Sequence, residues 1–408
     1  MLDPKWVREH PDVVKEAGRK KHLPCEAVVD EFVRLDAELR EVLPHVEGLR
    51  AEQKASGKSG DRERLKELKG QIQDLTERQR QLMERRELLA LQLPNIPAAE
   101  VPDGETDADN VEIRRWGEVR TFDFEPKSHI ELGEALDMID APRGVKIAGS
   151  RHYFLKNDAV RLVEALMSFA LEHMIAKGFT PMEVPLLVRD PAMFGTAYFP
   201  GGEEQTYRCE KDELSLVGTA EVPLTAYHSD EILSLAELPK RYVARSVCFR
   251  REAGTYGKDT KGLYRVHQFQ KVEQVIVDRA DPVLSLEHHL EITKNSEEIL
   301  QALELPYRVV NVCGGDLGQP QIQKFDIETW MPSRDSYGET HSASRFHDFQ
   351  SRRLKLRYRD EDGKTRFCHT LNNTVAASTR LVLAILENHQ EPDGSIAYPE
   401  PLRKYMCR

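Results

Sequence analysis

No run of about 18 apolar residues occurs anywhere in this chain, so no membrane-spanning helix is expected. The charged opening, MLDPKWVREHPDVVKEAG, lacks the apolar centre of an export signal. Paired cysteines are missing as well. Cys25, Cys209, Cys248, Cys313, Cys368 and Cys407 are scattered with no C-x-x-C pair. That pattern argues for free thiols in a reducing cytosol, and against a disulfide framework or a zinc site. There is no surplus of positive charge: 58 Lys and Arg face 69 Asp and Glu, a net charge of -11. A polyanionic partner therefore has to be met by a local basic patch. No internal repeat or low-complexity tract is present. Two nucleotide-loop signatures are incomplete. Gly57-Lys58-Ser59 has Glu52 where a phosphate loop needs its first glycine, and no strand precedes it. Cys313–Gly318 lacks the full dinucleotide fingerprint.

What is present is a chain of 408 residues, 40% apolar and 31% charged, a soluble globular composition too long for one ordinary core. Val28, Phe32, Leu35, Leu39, Val42, Val46 and Leu49 step by alternating fours and threes. So do Leu65, Leu68, Ile72, Leu75, Gln79, Leu82, Arg86, Leu89 and Leu93. These are two heptad runs. The short KASGKSG turn between them, Lys54–Gly60, forces the helices antiparallel. Pro44 removes a backbone donor inside the first helix and predicts a kink. Residues 50–69 carry seven Lys or Arg against four Asp or Glu. This basic tip fits a phosphate backbone, although a heptad hairpin equally fits a dimerising or structural coiled coil.

The PNIPAAEVPDGETDADN stretch after Leu93 reads as a linker. The chain thus divides into a helical arm, residues 1–108, and a larger domain, residues 109–408. In the latter, strands are expected at Thr180–Val188, Tyr242–Arg250, Gln268–Val277, Tyr307–Val312, Lys324–Trp330, Ser351–Tyr358 and Arg366–Asn372. Many follow one another without an intervening helix, which predicts an α+β fold with an antiparallel sheet flanked by helices.

The most informative segment is FRREAGTYGKDTKGLYRVHQFQKVEQ, Phe249–Gln274. Arg250 and Glu252 stand two apart, on one face of a strand. A loop with Gly254, Gly257 and Gly262 follows, then a strand-like run with Val266, Phe269 and Glu273. A cation and a carboxylate opposite an aromatic suit a nucleotide gripped at phosphate and base together. Arg380 lies near the start of the helix in HTLNNTVAASTRLVLAILENHQ, His369–Gln390.

These two segments resemble motifs 2 and 3 of class II aminoacyl-tRNA synthetases, in the form found in the seryl-tRNA synthetase family. HMIAKGFTPMEVPLLV, His173–Val188, resembles motif 1, and GTAEVPL, Gly218–Leu224, resembles the family's Thr-x-Glu loop. The resemblance implies that Arg250 bridges a serine carboxylate and the α-phosphate of ATP, while Arg380 holds the γ-phosphate. The remaining ATP contacts implied are Arg251, Glu252, Val266, Phe269 (stacking on adenine, with Arg380 on its other face), Glu339, Thr340, His341 and Ser342. Glu339 and Ser342 match the family's Mg²⁺ ligands, oxygen donors that suit this ion. His341, Ala343 and Arg345 depart from the Ser, Cys and Asn frequent there. Thr219, Ala220 and Glu221 would meet the serine ammonium; Glu273, Asn372 and Thr374 would surround its hydroxyl. The arm would grip the variable arm of serine tRNA through Arg50, Lys54, Lys58, Arg62 and Arg64. Motif 1 would form a homodimer. A selenocysteine tRNA as a further acceptor stays open. So does a biosynthetic relative that loads another acceptor.

Overall fold

The heptad runs fold into two long helices, α1 (Glu26–Ser59) and α2 (Arg62–Ala90), in a computed structural model that describes residues 1–59, 61–254 and 262–406. At 1.5 Å per residue α2 is roughly 44 Å long. Helix α1 continues through Pro44 and through most of the expected turn, so the connection is tighter than Lys54–Gly60. Phe32, Leu35, Leu39, Val46, Leu68 and Leu82 form its buried seam. Each large apolar side chain buried in this way contributes about 1.5–3 kcal/mol. Arg86 occupies a heptad position without breaking the seam. With Arg8 it holds the buried Asp36 carboxylate, at 2.8 and 2.7 Å. These elements belong to a unit made of Met1–Pro97 and Gly318–Pro320.

The second unit comprises Ala98–Leu317 and Gln321–Arg408. The division falls before residue 108 because the expected linker is tied into this unit. Val101 is buried, and the amides of Gly314 and Gly315 donate to the Pro102 and Gly104 carbonyls. Its centre is an eight-stranded sheet. In chain order the strands are β1 (Val111–Trp116), β2 (Thr180–Pro181), β3 (Lys240–Phe249), β4 (Gln268–Asp278), β5 (Tyr307–Asn311), β6 (Gln323–Met331), β7 (Ser336–His347) and β8 (His369–Ala377). Their spatial order is β1-β5-β6-β7-β8-β4-β3-β2. Every pair is antiparallel except β2 with β3.

Alternation along the strands sorts the side chains into two faces. Val272, Ile276, Val375 and Ala343 join the main apolar cluster, with Leu381–Leu386 and the helices Asp158–Ala176 and Pro282–Ala302. On this face the Gln274 and Asn373 side-chain amides both donate to the Ile292 carbonyl, at 2.9 and 2.6 Å. Lys271, Glu273, Asn372 and Thr374 take the opposite face. A continuous core on one side thus leaves a polar floor on the other.

Several expected elements differ. Thr180–Val188 is not one strand: Pro181 and Pro185 lack the amide a ladder needs, so pairing stops at Pro181. It resumes at Leu187–Arg189 in a separate three-stranded sheet. The first half of Ser351–Tyr358 belongs to the helix Phe349–Leu354, and the short strand Arg357–Arg359 follows. Arg366–Asn372 is divided between the strand Thr365–Phe367 and β8. Strand β7 was not anticipated, although it carries Glu339 and Ser342. Among the described residues no helix is long and apolar enough to cross a membrane.

Candidate active site

The polar floor opens into a cavity lined by β4, β7, β8, the helix that follows β8, and the segments that follow β3 and precede β4. Arg250, Glu252, Val266, Phe269, Glu273, Glu339, Thr340, Ser342, Asn372, Thr374, Arg380 and Glu221 all line it. Segments more than 150 residues apart in sequence thus converge on one space.

One end is cationic and aromatic. The Arg250 guanidinium carbon lies 5.3 Å from the centre of the Phe269 ring, and its Nε donates to the Gly218 carbonyl at 3.3 Å. Strand β3 ends at Phe249, so alternation does not bring Arg250 and Glu252 together. Glu252 instead takes a left-handed conformation, φ +50°, which a residue with a side chain seldom adopts. Its carboxylate lies 3.6 Å from Arg265. Arg380 sits at the third position of the helix Ser378–Asn388. Its guanidinium lies 4.8 Å over the Tyr264 ring, donates to the Glu339 carbonyl at 2.8 Å and is 3.3 Å from the Glu339 carboxylate. Burial alone would raise the Glu339 pKa, but Arg380, Lys324, Arg250 and Arg265 outweigh it and hold the group below its usual range. The aromatic partner of Arg380 here is Tyr264; Phe269 is faced by Arg250.

Residues 339 and 342 stand three apart, which on a regular strand puts them on opposite faces. A β-bulge corrects this. Ile327 pairs with His341 and Glu328 with Glu339, leaving Thr340 as the extra residue. Glu339, Thr340, Ser342 and Ser344 therefore all reach the cavity. His341, expected beside them, turns to the other face. It is buried, with its ring nitrogens against Thr340 Oγ1 and the Val375 carbonyl, and burial holds its pKa down at about 3. Asp326, directly across from Ser342, is buried beside Lys324 at 3.3 Å and does not line the cavity. Glu339 and Ser342 offer oxygen donors, the chemistry Mg²⁺ prefers. Among the described residues no group of three His, Cys, Asp or Glu gathers as a metal cage. The fit is thus to an ion that takes few protein ligands.

The other end is built from buried carboxylates. Glu221 accepts from Tyr198 Oη at 2.7 Å and from Gln350 Nε2 at 2.9 Å. Burial, followed by the charge of Glu273, pushes its pKa up to about 7. Glu273 is paired with Lys271, and both are buried. Lys271 also reaches Thr374 Oγ1 at 3.4 Å. Thr219 and Ala220 are buried but do not line the cavity; Thr219 Oγ1 accepts the Glu221 amide at 3.2 Å. Arg251 is exposed outside it, its amide bound to the Gln205 carbonyl.

Lys271, Tyr198 and Tyr264 are lining residues that sequence reasoning missed. Lys271 carried a signal: it precedes Glu273 by two in a strand otherwise composed for burial, so both must face one side. Tyr198 carried none, because its position depends on chain folding alone.

In the arm, Arg50, Lys54 and Arg62 are exposed. Arg64 is engaged within the hairpin by Glu52 and Glu67, each at 2.6 Å. The Lys58 side chain and Gly257 lie outside the described residues.

Residues 1–97 match the model of the seryl-tRNA synthetase N-terminal domain, and residues 206–389 match that of the tRNA synthetase class II core domain (G, H, P, S and T). The serine--tRNA ligase of Deinococcus radiodurans is 44% identical, over 100% of this chain and 97% of the relative. The chain belongs to the seryl-tRNA synthetase family. A solved seryl-tRNA synthetase from Pyrococcus horikoshii, complexed with ATP, superposes with a TM-score of 0.95 at 42% identity, covering 100% of this chain and 98% of that one. A cytoplasmic serine-tRNA ligase from Naegleria fowleri in complex with AMP gives 0.91 at 31% identity, with 100% and 97% covered.

Proposed function

We propose that this chain activates L-serine with ATP and transfers the seryl group to the 3′ end of serine tRNA. The observation that carries the reading is one cavity with two unlike ends: arginines over aromatic rings at one, buried carboxylates with a lysine at the other. The first suits a nucleotide triphosphate and its base. The second suits a small amino acid with an ammonium and a hydroxyl.

In the first step a serine carboxylate oxygen bonds to the α-phosphorus of ATP, and the bond to pyrophosphate breaks. Arg250 faces both anions and offsets the charge that builds between them. Arg380 holds the far phosphates, and Phe269 supports the base. Glu339 and Ser342 would hold Mg²⁺, which when bound neutralises phosphate charge. Glu221 receives the ammonium, with Thr219 orienting it. Glu273, Thr374 and Asn372 surround the hydroxyl. In the second step the terminal 3′-OH of the tRNA attacks the seryl carbonyl, and AMP leaves. Among the described residues no strong general base faces the reaction, so positioning and charge stabilisation supply most of the rate.

The reading extends to the assembly. The arm supplies the tRNA contact through Arg50, Lys54, Lys58 and Arg62. Arg64 joins them only by giving up Glu52 or Glu67. Motif 1 forms a homodimer, and the protein works in the cytoplasm. Serine-dependent ATP–pyrophosphate exchange tests the catalytic reading directly, because it needs no tRNA. Analytical ultracentrifugation tests the dimer.

A further inference from the structure

His129 lies far from the catalytic motifs in sequence, at the start of the helix His129–Ala135, yet it is buried beside the end of the motif 2 loop. Its Nε2 is the acceptor for the Leu263 amide, at 3.2 Å. Its Nδ1 lies 2.7 Å from Glu387 Oε1. Glu387 is fully buried, and all its partners are donors. Oε1 takes the His129 ring, the His129 amide at 3.0 Å and Ser333 Oγ at 2.8 Å; Oε2 takes the Ser333 amide at 2.9 Å. A carboxylate in that setting keeps the imidazole proton on Nδ1 and leaves the Nε2 lone pair free to accept. Gly262, at φ +80°, lies against the ring so closely that a Cβ there would collide with Nε2.

The segment held in this way leads directly to Tyr264. The Tyr264 ring carries the Arg380 guanidinium at 4.8 Å and that of Arg334 at 4.3 Å, and its carbonyl accepts from Arg380 Nε at 3.4 Å. Ser333, the neighbour of Arg334, is bound to the same Glu387. One carboxylate thus fixes both the chain that bears the aromatic plate and the chain that bears a cation stacked on it.

We infer that His129 and Glu387 are positioning residues for the nucleotide end of the site, acting through Leu263–Tyr264 on Arg380. The inference rests on the reading of that end as the ATP site. Neither residue lines the cavity.

The test is a pair of variants in the full chain. His129→Asn keeps a donor for Glu387 but cannot reach the Leu263 amide. His129→Gln places an acceptor near the Nε2 position. The expected result for His129→Asn is a KM for ATP raised roughly tenfold or more in pyrophosphate exchange, since a buried amide is left unpaired. The KM for serine stays within about twofold, ATP binding measured by calorimetry weakens in parallel, and His129→Gln recovers most of the loss. Unchanged ATP binding in a folded His129→Asn protein would overturn the inference. So would equal losses for ATP and serine with no recovery in His129→Gln, the mark of a merely structural role. Absence of serine-dependent exchange in the unmutated chain would instead refute the functional reading.

Discussion

The arm and the catalytic unit are both rich in charge, yet they use it in opposite ways. Along the arm most ion pairs are exposed and local: Arg80 with Glu77 and Glu84, Arg34 with Glu31 and Glu38, Arg64 with Glu52 and Glu67. Such pairs contribute little each, because water screens them and the side chains lose freedom on pairing. In the cavity the charges at the carboxylate end are buried, and Arg380 and Glu339 at the other end are half-buried. Lys271 with Glu273, Arg380 with Glu339, and Glu221 beneath Tyr198 carry desolvation costs that only a fixed partner or a bound substrate offsets. The lesson is that arm charge is replaceable residue by residue, whereas cavity charge is held in reserve for a ligand.

The harshest break of that contrast is Arg250→Ala. Pyrophosphate exchange should fall by about 10³-fold or more, the scale of losing a group that meets transition-state charge, while the melting temperature barely changes. Near-normal exchange would remove Arg250 from the reaction.

Lys271→Met comes next. It strands the buried Glu273 carboxylate without its cation and should lower stability by about 3–5 kcal/mol in urea unfolding. The double variant Lys271→Met/Glu273→Gln should regain much of that stability and stay inactive toward serine. A single variant as stable as the parent would show that the pair is not buried as described.

A smaller effect follows from Glu221, whose pKa burial raises from 4.5 to about 7. Only the ionised form pairs with an ammonium, so the KM for serine should rise as pH falls below about 7, approaching tenfold per unit, and level off above it. Stability runs the other way. The folded chain binds the extra proton between pH 4.5 and about 7, so this group's contribution is lost as pH rises through that window. Glu221→Gln should flatten both profiles. A serine KM independent of pH from 6 to 8 would contradict the assignment.

The mildest change is in the arm. Removing Arg50, Lys54 or Arg62 singly should leave exchange untouched and reduce the salt dependence of tRNA binding by about one ion each. An unchanged salt slope in the triple variant would take the tip out of the tRNA contact.

Legibility in the sequence follows the same divide. The hairpin was readable because burial there is apolar and recurs every three or four residues, from Phe32 to Val46 and from Leu68 to Leu82. The antiparallel sheet was readable where one face is apolar, as in β3, β4 and β6. Strand β7 was not, because its cavity face is Thr340, Ser342 and Ser344: alternation persists, but between polar residues and a mixed inner face. The bulge at Thr340 has no compositional mark, so the contiguous stretch from Glu339 to Ser342 reads as one cavity face, whereas the His341 side chain lies on the other. Arg250, Phe269, Glu273 and Arg380 were found because they lie in recognisable segments. Lys271, Tyr264 and the His129–Glu387 pair act across strands and loops, and their proximity exists only after folding.

The most direct test of the central claim is ATP–pyrophosphate exchange by the full chain with serine, alanine, threonine or cysteine as the only amino acid, followed by transfer to bacterial tRNA. Exchange is expected with serine, and charging confined to serine tRNAs. Alanine should be disfavoured by a factor of about 10⁴, because it leaves the buried Glu273 without a hydroxyl to meet. Equal exchange with alanine, or none with serine, would contradict the claim.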